Sequence, residues 1–127
     1  MVRVRLTFVP PGGGEVDYGL TMEMPSLPRE GDYISVMRKK ADGTALDGDH
    51  AGTEDFIVRR VWWFCEFTDD GQLSHEAGKE PVGTCQEPNI ECEFAIGPYS
   101  SVAHKRAAGA YSQQGKGEAK SFDNSNY

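Results

Sequence analysis

The chain has 127 residues, of which 38% are hydrophobic and 10% aromatic, and its formal net charge is −7. This length is sufficient for one domain with one core, and no apolar run is long enough to span a bilayer. Residues 41–97 contain 13 Asp and Glu against three Lys and Arg, a charge that opposes phosphate and favours contact with basic surfaces.

The first predicted elements are two strands, because apolar and polar residues alternate over residues 2–8 and again over residues 16–24. Alternate side chains of a strand point to opposite faces, so each run buries one face. The Gly-rich connector at residues 10–14 indicates an antiparallel hairpin. A third strand is predicted over residues 33–38, after a proline-containing turn.

The strongest strand pattern covers residues 56–67, where apolar side chains occupy both alternating sets of positions. Either both faces of this strand are covered, or a bulge at Arg59-Arg60 switches the face that points inward. Residues 41–55 form an acidic Gly/Asp-rich loop before this strand, and residues 68–88 form an acidic, turn-rich segment after it. A final half-buried strand is predicted over residues 90–96.

Ser100 or Ser101 is predicted to cap a short helix that reaches Tyr111. Residues 112–127 are polar and non-periodic and are predicted to form a flexible tail. The predicted organisation is a single β-rich domain over residues 1–111, followed by that tail. The predicted fold class is mainly β: a small, strongly bent antiparallel sheet or open SH3-like barrel of about five strands, with one short helix.

Two segments resemble small SH3-like barrel proteins of phages and mobile elements. Residues 27–34, LPREGDYI, contain a Pro-x-x-Gly-Asp turn that leads into a strand, and residues 56–62, FIVRRVW, follow the pattern aromatic-x-Val-x-x-Val. The resemblance implies the fold and transfers no functional residue. Together with the acidic charge, it implies an accessory protein of a phage or mobile element.

Candidate metal and catalytic sites are weak. Cys85, Cys92, His50 and His75 lack the closely spaced ligand pairs of structural zinc sites, and residues 42–55 fit no EF-hand register. The chain contains no nucleotide-binding motif and no recognisable nucleophile–base pair. The prediction is a non-enzymatic protein without metal or cofactor.

The acidic residues are the main functional prediction. Carboxylates along neighbouring strands and in the flanking loops would form one face that occupies a basic nucleic-acid-binding surface of a host defence complex, as anti-CRISPR and DNA-mimic inhibitors do. The partner is therefore predicted to be a protein, with no direct binding of nucleic acid or membrane. The predicted contact residues are Asp42, Asp47, Asp49, Glu54, Asp55, Asp69, Asp70, Glu91 and Glu93.

Two alternative functions remain open. A small barrel can bind nucleic acid through basic residues and stacked aromatics, and a small-ligand pocket could be lined by the same region. The candidate residues for these alternatives are Tyr33, Lys39, Arg59, Arg60, Trp62 and Trp63. A purely structural interpretation instead buries Trp62 and Phe64 and pairs Arg59 and Arg60 with glutamates across the sheet.

The number and spacing of the three cysteines indicate the cellular compartment of the protein. Their number is odd, their spacing shows no pairing, and the N-terminus lacks an apolar signal segment. We therefore expect reduced thiols in a cytoplasmic protein.

Overall fold

The fold is mainly β, as predicted: 46% of the residues that the structure describes lie in strands and 12% in helix. The structure is a computed structural model, and it describes residues 1–40, 42, 53–68 and 81–122. Within these ranges the elements are β1 (Val2–Val9), β2 (Tyr18–Met24), β3 (Tyr33–Met37), β4 (Thr53–Trp62), β5 (Cys65–Glu66), β6 (Thr84–Cys85), β7 (Asn89–Ile96), α1 (Val102–Gln113) and β8 (Lys120–Ser121).

The main sheet is a curled, open half-barrel in the order β2-β1-β7-β4-β3. The pairs β1–β2 and β3–β4, which are consecutive in the chain, are antiparallel, and so is the pair β4–β7. The pair β1–β7 is parallel, with Arg5 opposite Asn89 and Val9 opposite Glu93. The sheet is therefore mixed rather than wholly antiparallel, because β7 enters beside β1 and occupies the centre.

The predicted first hairpin is present, with Val2 opposite Met24 and Phe8 opposite Tyr18. Its connector has three glycines with positive φ, a backbone region that other residues rarely adopt. The Arg59 guanidinium lies where a Cβ on Gly13 would be placed. This turn therefore needs glycine for its backbone conformation, and the missing side chain leaves room for that guanidinium.

The predicted bulge in β4 is also present. Val58 lies opposite Cys92 and Arg60 lies opposite Glu91, so Arg59 is the additional residue. An additional residue reverses the alternation of side chains beyond it. This reversal explains why Val61 packs against the same core as Phe56 and Val58 although it lies in the other alternating set.

The core lies on the concave face of the sheet. Phe8 of β1 stacks on Phe56 of β4 with ring centroids 4.0 Å apart, and Phe94 of β7 meets Phe56 edge to face at 5.2 Å. The other fully buried members come from β1, β4 and β7: Val4, Leu6, Val58, Ile90 and Cys92.

The helix begins where the sequence predicts. Ser101 is its N-cap, and its side-chain oxygen accepts a hydrogen bond from the His104 backbone N–H at 3.1 Å. His104 and Ala108 are the buried residues of α1, which therefore packs on the sheet by this side. The helix, the single one among the described residues, is too short and too polar to span a bilayer.

Regular structure extends into residues 112–127, the segment predicted to be a flexible tail. The helix continues to Gln113, and Lys120–Ser121 pair in parallel with Ala95 and Ile96. This short strand takes the edge of β7 beyond the point where β1 ends. Next, the Phe122 ring stacks on Tyr33 with centroids 4.3 Å apart. Residues 123–127 lie outside the described residues.

Candidate functional site

Two of the predicted contact residues lie side by side on β4 and are held by other side chains. Glu54 accepts a hydrogen bond from the Tyr18 hydroxyl, and its other oxygen lies 3.0 Å from Nε of Arg38. Burial and this contact with Glu54 together raise the pKa of Tyr18 above its ordinary value. The Glu54 carboxylate is therefore occupied within the molecule.

Asp55 belongs to a buried polar corner, which we define as the buried residues Thr53, Asp55, Ser100 and His104 together with the exposed Ser35 that contacts them. Only 2% of Asp55 is exposed. Its carboxylate accepts hydrogen bonds from the Ser35 and Ser100 hydroxyls, each at 2.5 Å. Nε2 of His104 lies 2.7 Å from the Ala95 carbonyl oxygen and 3.2 Å from the Asp55 backbone nitrogen. The corner joins β3, β4 and the start of α1.

Glu91 and Glu93 belong to a second group, the paired-charge network of Arg59, Arg60, Glu91, Glu93 and Lys120. Oε2 of Glu91 lies 2.9 Å from Nε of Arg60 and 3.5 Å from Nε of Arg59. Glu93 is 3% exposed, and its oxygens lie 3.0 Å from Nζ of Lys120 and 3.9 Å from Nη1 of Arg59. The predicted cross-strand pairing of the arginines with the glutamates is confirmed.

Asp55 and Glu93 cannot contact a partner in this fold, so the prediction of a carboxylate face along the strands is wrong for them. The physical reason is that their counterparts come from distant parts of the chain. Glu93, for example, also accepts a hydrogen bond at 2.8 Å from the backbone N–H of Gly12. Asp42 is exposed, and Asp47, Asp49, Asp69 and Asp70 lie outside the described residues.

A group of aromatic side chains is exposed where β4 ends. We call Trp62, Trp63, Phe64 and Phe67 the aromatic segment, and between 45% and 58% of each residue is exposed. The Trp62 and Phe64 rings stack with centroids 5.4 Å apart and an interplanar angle of 8°. The interpretation that buries Trp62 and Phe64 is therefore wrong, because β4 leaves the main sheet at Trp62.

The aromatic segment continues into a separate two-stranded hairpin of β5 and β6. The Phe64 carbonyl oxygen accepts a hydrogen bond from the Gln86 N–H at 2.8 Å, and Gln86 Nε2 donates to Glu66 at 2.7 Å. A Cβ on Gly83 would lie 2.8 Å from the Glu66 backbone oxygen and 3.3 Å from the Phe67 ring, so the glycine lets the strands approach beside this ring. These contacts fix the backbone that presents the aromatic rings.

The residues of the small-ligand alternative do not come together. Tyr33 pairs with Ile57 in register, five positions before Trp62, which corresponds to about 16 Å along a strand. Tyr33 also stacks on Phe122, and the two arginines belong to the paired-charge network. Tyr33 and the tryptophans therefore form separate surfaces.

A cavity of about 250 Å³ adjoins α1 and the polar end of the sheet. Its walls include Tyr18, Arg38, Glu54, Phe94 and His104. The three polar groups at its mouth bind each other, and the His104 ring stacks on Phe94 with centroids 5.1 Å apart. These side chains stabilise the junction between sheet and helix.

Among the described residues, His, Cys, Asp and Glu form no group of three or more that could hold a metal ion. Cys92 is buried in β7, whereas Cys85 is exposed on the hairpin. His50 and His75, the other residues of the zinc consideration, lie outside the described ranges.

Comparisons of this chain with protein-family models, curated proteins and solved structures gave no match. The resemblance to SH3-like barrels of mobile elements therefore stays a prediction.

Proposed function

We propose that this protein binds another protein through the aromatic segment, and that the partner presents Lys and Arg side chains to it. The observation that carries the proposal is the exposure of four large aromatic residues in one short stretch of chain. Isolated apolar side chains are normal on a protein surface, whereas a contiguous aromatic group is typical of an interface. Aromatic residues are also the side chains that contribute most to binding energy at interfaces.

The charge around the aromatic segment determines the class of partner. Residues 66–80 contain five Asp and Glu but only one Lys, and Glu66 lies within the hairpin itself. Ammonium and guanidinium groups bind the faces of Trp, Tyr and Phe as well as carboxylates. A partner with a basic surface satisfies both features of this region.

The same charge argues against nucleic acid as the ligand. Single strands do stack on exposed aromatics, but their affinity depends on Lys and Arg that neutralise phosphates. The nearest arginines, Arg59 and Arg60, are already held by Glu91. A host protein that itself binds nucleic acid has a suitable basic surface, and a mobile-element inhibitor acting on such a protein is one form of this proposal.

Intrinsic fluorescence gives a direct test, because the only tryptophans of the chain are Trp62 and Trp63. The probes are an Arg-rich peptide, a Glu-rich peptide of equal length and an oligo-dT strand. We expect a saturable change in emission with the Arg-rich peptide, weakened by added salt. The Glu-rich peptide should leave the emission unchanged.

A matched pair of variants tests the contribution of the carboxylates. Glu66→Gln should weaken binding of the Arg-rich peptide several-fold, whereas Glu15→Gln, which removes the same charge from the first hairpin, should not. Saturable binding of oligo-dT in place of the Arg-rich peptide would overturn the proposal in favour of a nucleic-acid-binding barrel. Equal weakening by both variants would show that peptide binding depends only on the net charge of the protein, which would also overturn the proposal.

A further inference from the structure

Two exposed cysteines face each other across the hairpin that follows the aromatic segment. Cys65 in β5 is the register partner of Cys85 in β6, and the two sulfur atoms lie 2.6 Å apart. Both are free cysteines in this structure, and their sulfur atoms nonetheless face each other. Their sequence separation of 20 positions gives no sign of the contact, which arises only when the hairpin forms.

The position of the pair in the ladder suits a disulfide. The backbone hydrogen bond between Phe64 and Gln86 makes those two residues a hydrogen-bonded pair. Pairs alternate along an antiparallel ladder, so Cys65 and Cys85 occupy the adjacent non-hydrogen-bonded position. The Cα atoms of such a pair are about 4.5 Å apart, which lies within the range of roughly 4.4 to 6.8 Å that a disulfide spans.

We propose that Cys65 and Cys85 form a disulfide by exchange with a low-molecular-weight disulfide such as oxidised glutathione. One protein thiolate attacks a glutathione sulfur, forms a mixed disulfide and releases a glutathione thiolate. The second protein thiolate then attacks the protein sulfur of that mixed disulfide and releases the other glutathione thiolate. The protein loses two electrons and two protons, and glutathione disulfide is reduced to two thiols.

The third cysteine provides an internal reference. Cys92 is fully buried in the core, and burial raises the pKa of its thiol to about 12. Thiol exchange requires an accessible thiolate, so Cys92 takes no part in it. Oxidation of the native protein is therefore confined to the hairpin pair.

The experiment incubates the native protein with a mixture of reduced and oxidised glutathione, alkylates the remaining thiols, and maps the peptides by mass spectrometry after digestion. We expect the Cys65 peptide linked to the Cys85 peptide, and Cys92 alkylated once the protein is unfolded. Recovery of Cys65 and Cys85 as alkylated thiols would overturn the proposal. A disulfide between two copies of the chain would overturn it too.

Single-cysteine variants test the second step of the exchange. In Cys85→Ser the mixed disulfide on Cys65 has no resolving thiol and should accumulate, whereas in the wild type it should not. Cys92→Ala should form the hairpin disulfide like the wild type. Equal accumulation of the mixed disulfide in wild type and Cys85→Ser would contradict the assignment. The exchange takes place whether or not a partner binds the hairpin, so failure of either proposal is distinguishable from failure of the other.

Discussion

The buried polar corner and the aromatic segment both depart from the usual distribution of residues, in which polar side chains are exposed and large apolar ones are buried. In the corner, the carboxylate of Asp55 lies inside the protein and is held by hydroxyls of Ser35 and Ser100. In the aromatic segment, large rings such as Trp62 lie half exposed. The polar groups of the corner have partners within the chain, so they stabilise the fold, whereas the exposed rings are available to a ligand.

The largest effect should come from breaking the corner. Asp55→Ala removes the acceptor for the two hydroxyls and leaves the buried Ser100 hydroxyl without that partner, which should lower the free energy of unfolding by about 3 kcal/mol. Ser35→Ala removes one of these hydrogen bonds and should lower it by about 1 kcal/mol. Urea unfolding followed by circular dichroism measures both values. Equal values for the two variants would show that the corner does not depend on the carboxylate.

A smaller effect should come from Glu93→Gln in the paired-charge network. The amide retains the shape of the side chain but removes the charge that faces Lys120 and Arg59, so we expect a loss of about 2 kcal/mol. The short β8 strand should also loosen. Faster hydrogen exchange of the Phe122 amide, which donates to Ile96, reports this directly. Glu91→Gln, at a more exposed position, should leave that amide protected.

In the aromatic segment the expected change is in the affinity for a ligand rather than in the free energy of unfolding. Trp62→Ala should weaken the affinity for an Arg-rich peptide about tenfold, or about 1.4 kcal/mol. The free energy of unfolding should change by less than about 0.5 kcal/mol, apart from the lost contact with Phe64. Calorimetric titration and urea unfolding measure the two quantities. Met37→Ala, at another exposed apolar position, serves as the control and should alter neither quantity. A large loss of stability in Trp62→Ala would assign the ring to the fold instead.

The smallest effect concerns the one cysteine outside the hairpin. Burial raises the pKa of Cys92 from the usual 9.0 to about 12, so the folded state favours the protonated thiol. The contribution of this protonated thiol to the free energy of unfolding is fully present below about pH 9 and is lost as the pH rises toward 12. It should lower the stability of the wild type by about 1 kcal/mol by pH 10, a decrease that Cys92→Ala should not share. Parallel decreases in both proteins would mean that other groups control the alkaline transition.

The sequence was sufficient for most of the local structure. Alternation of apolar and polar residues predicts β1, β2, β3 and β7. Two arginines within an apolar run indicate a bulge as one of two explanations for β4, and Ser100 or Ser101 is predicted to cap the helix. Each of these features depends on residues close together in the chain. Side-chain period and capping chemistry are local properties, so a sequence reveals them.

The features that were not predicted depend on distant residues. The parallel contact of β1 with β7, the pairing of Cys65 with Cys85 and the addition of β8 each join segments far apart in sequence. The burial of Glu93 has the same origin, because Lys120 and Gly12 reach it from opposite ends of the chain. The interpretation that places Trp62 and Phe64 in the core fails because nothing local marks Trp62 as the end of the main sheet.

The central position of β7 has a consequence for the order of assembly. Without Asn89–Ile96, the pairs β1–β2 and β3–β4 would not be joined in one sheet, and each would have an open edge. Such edges readily pair with other chains. The strand that joins the two pairs is synthesised after both of them. A chain interrupted before residue 89 would therefore expose the inner edges of both β1 and β4. β7 is thus the strand that joins the two pairs into one sheet.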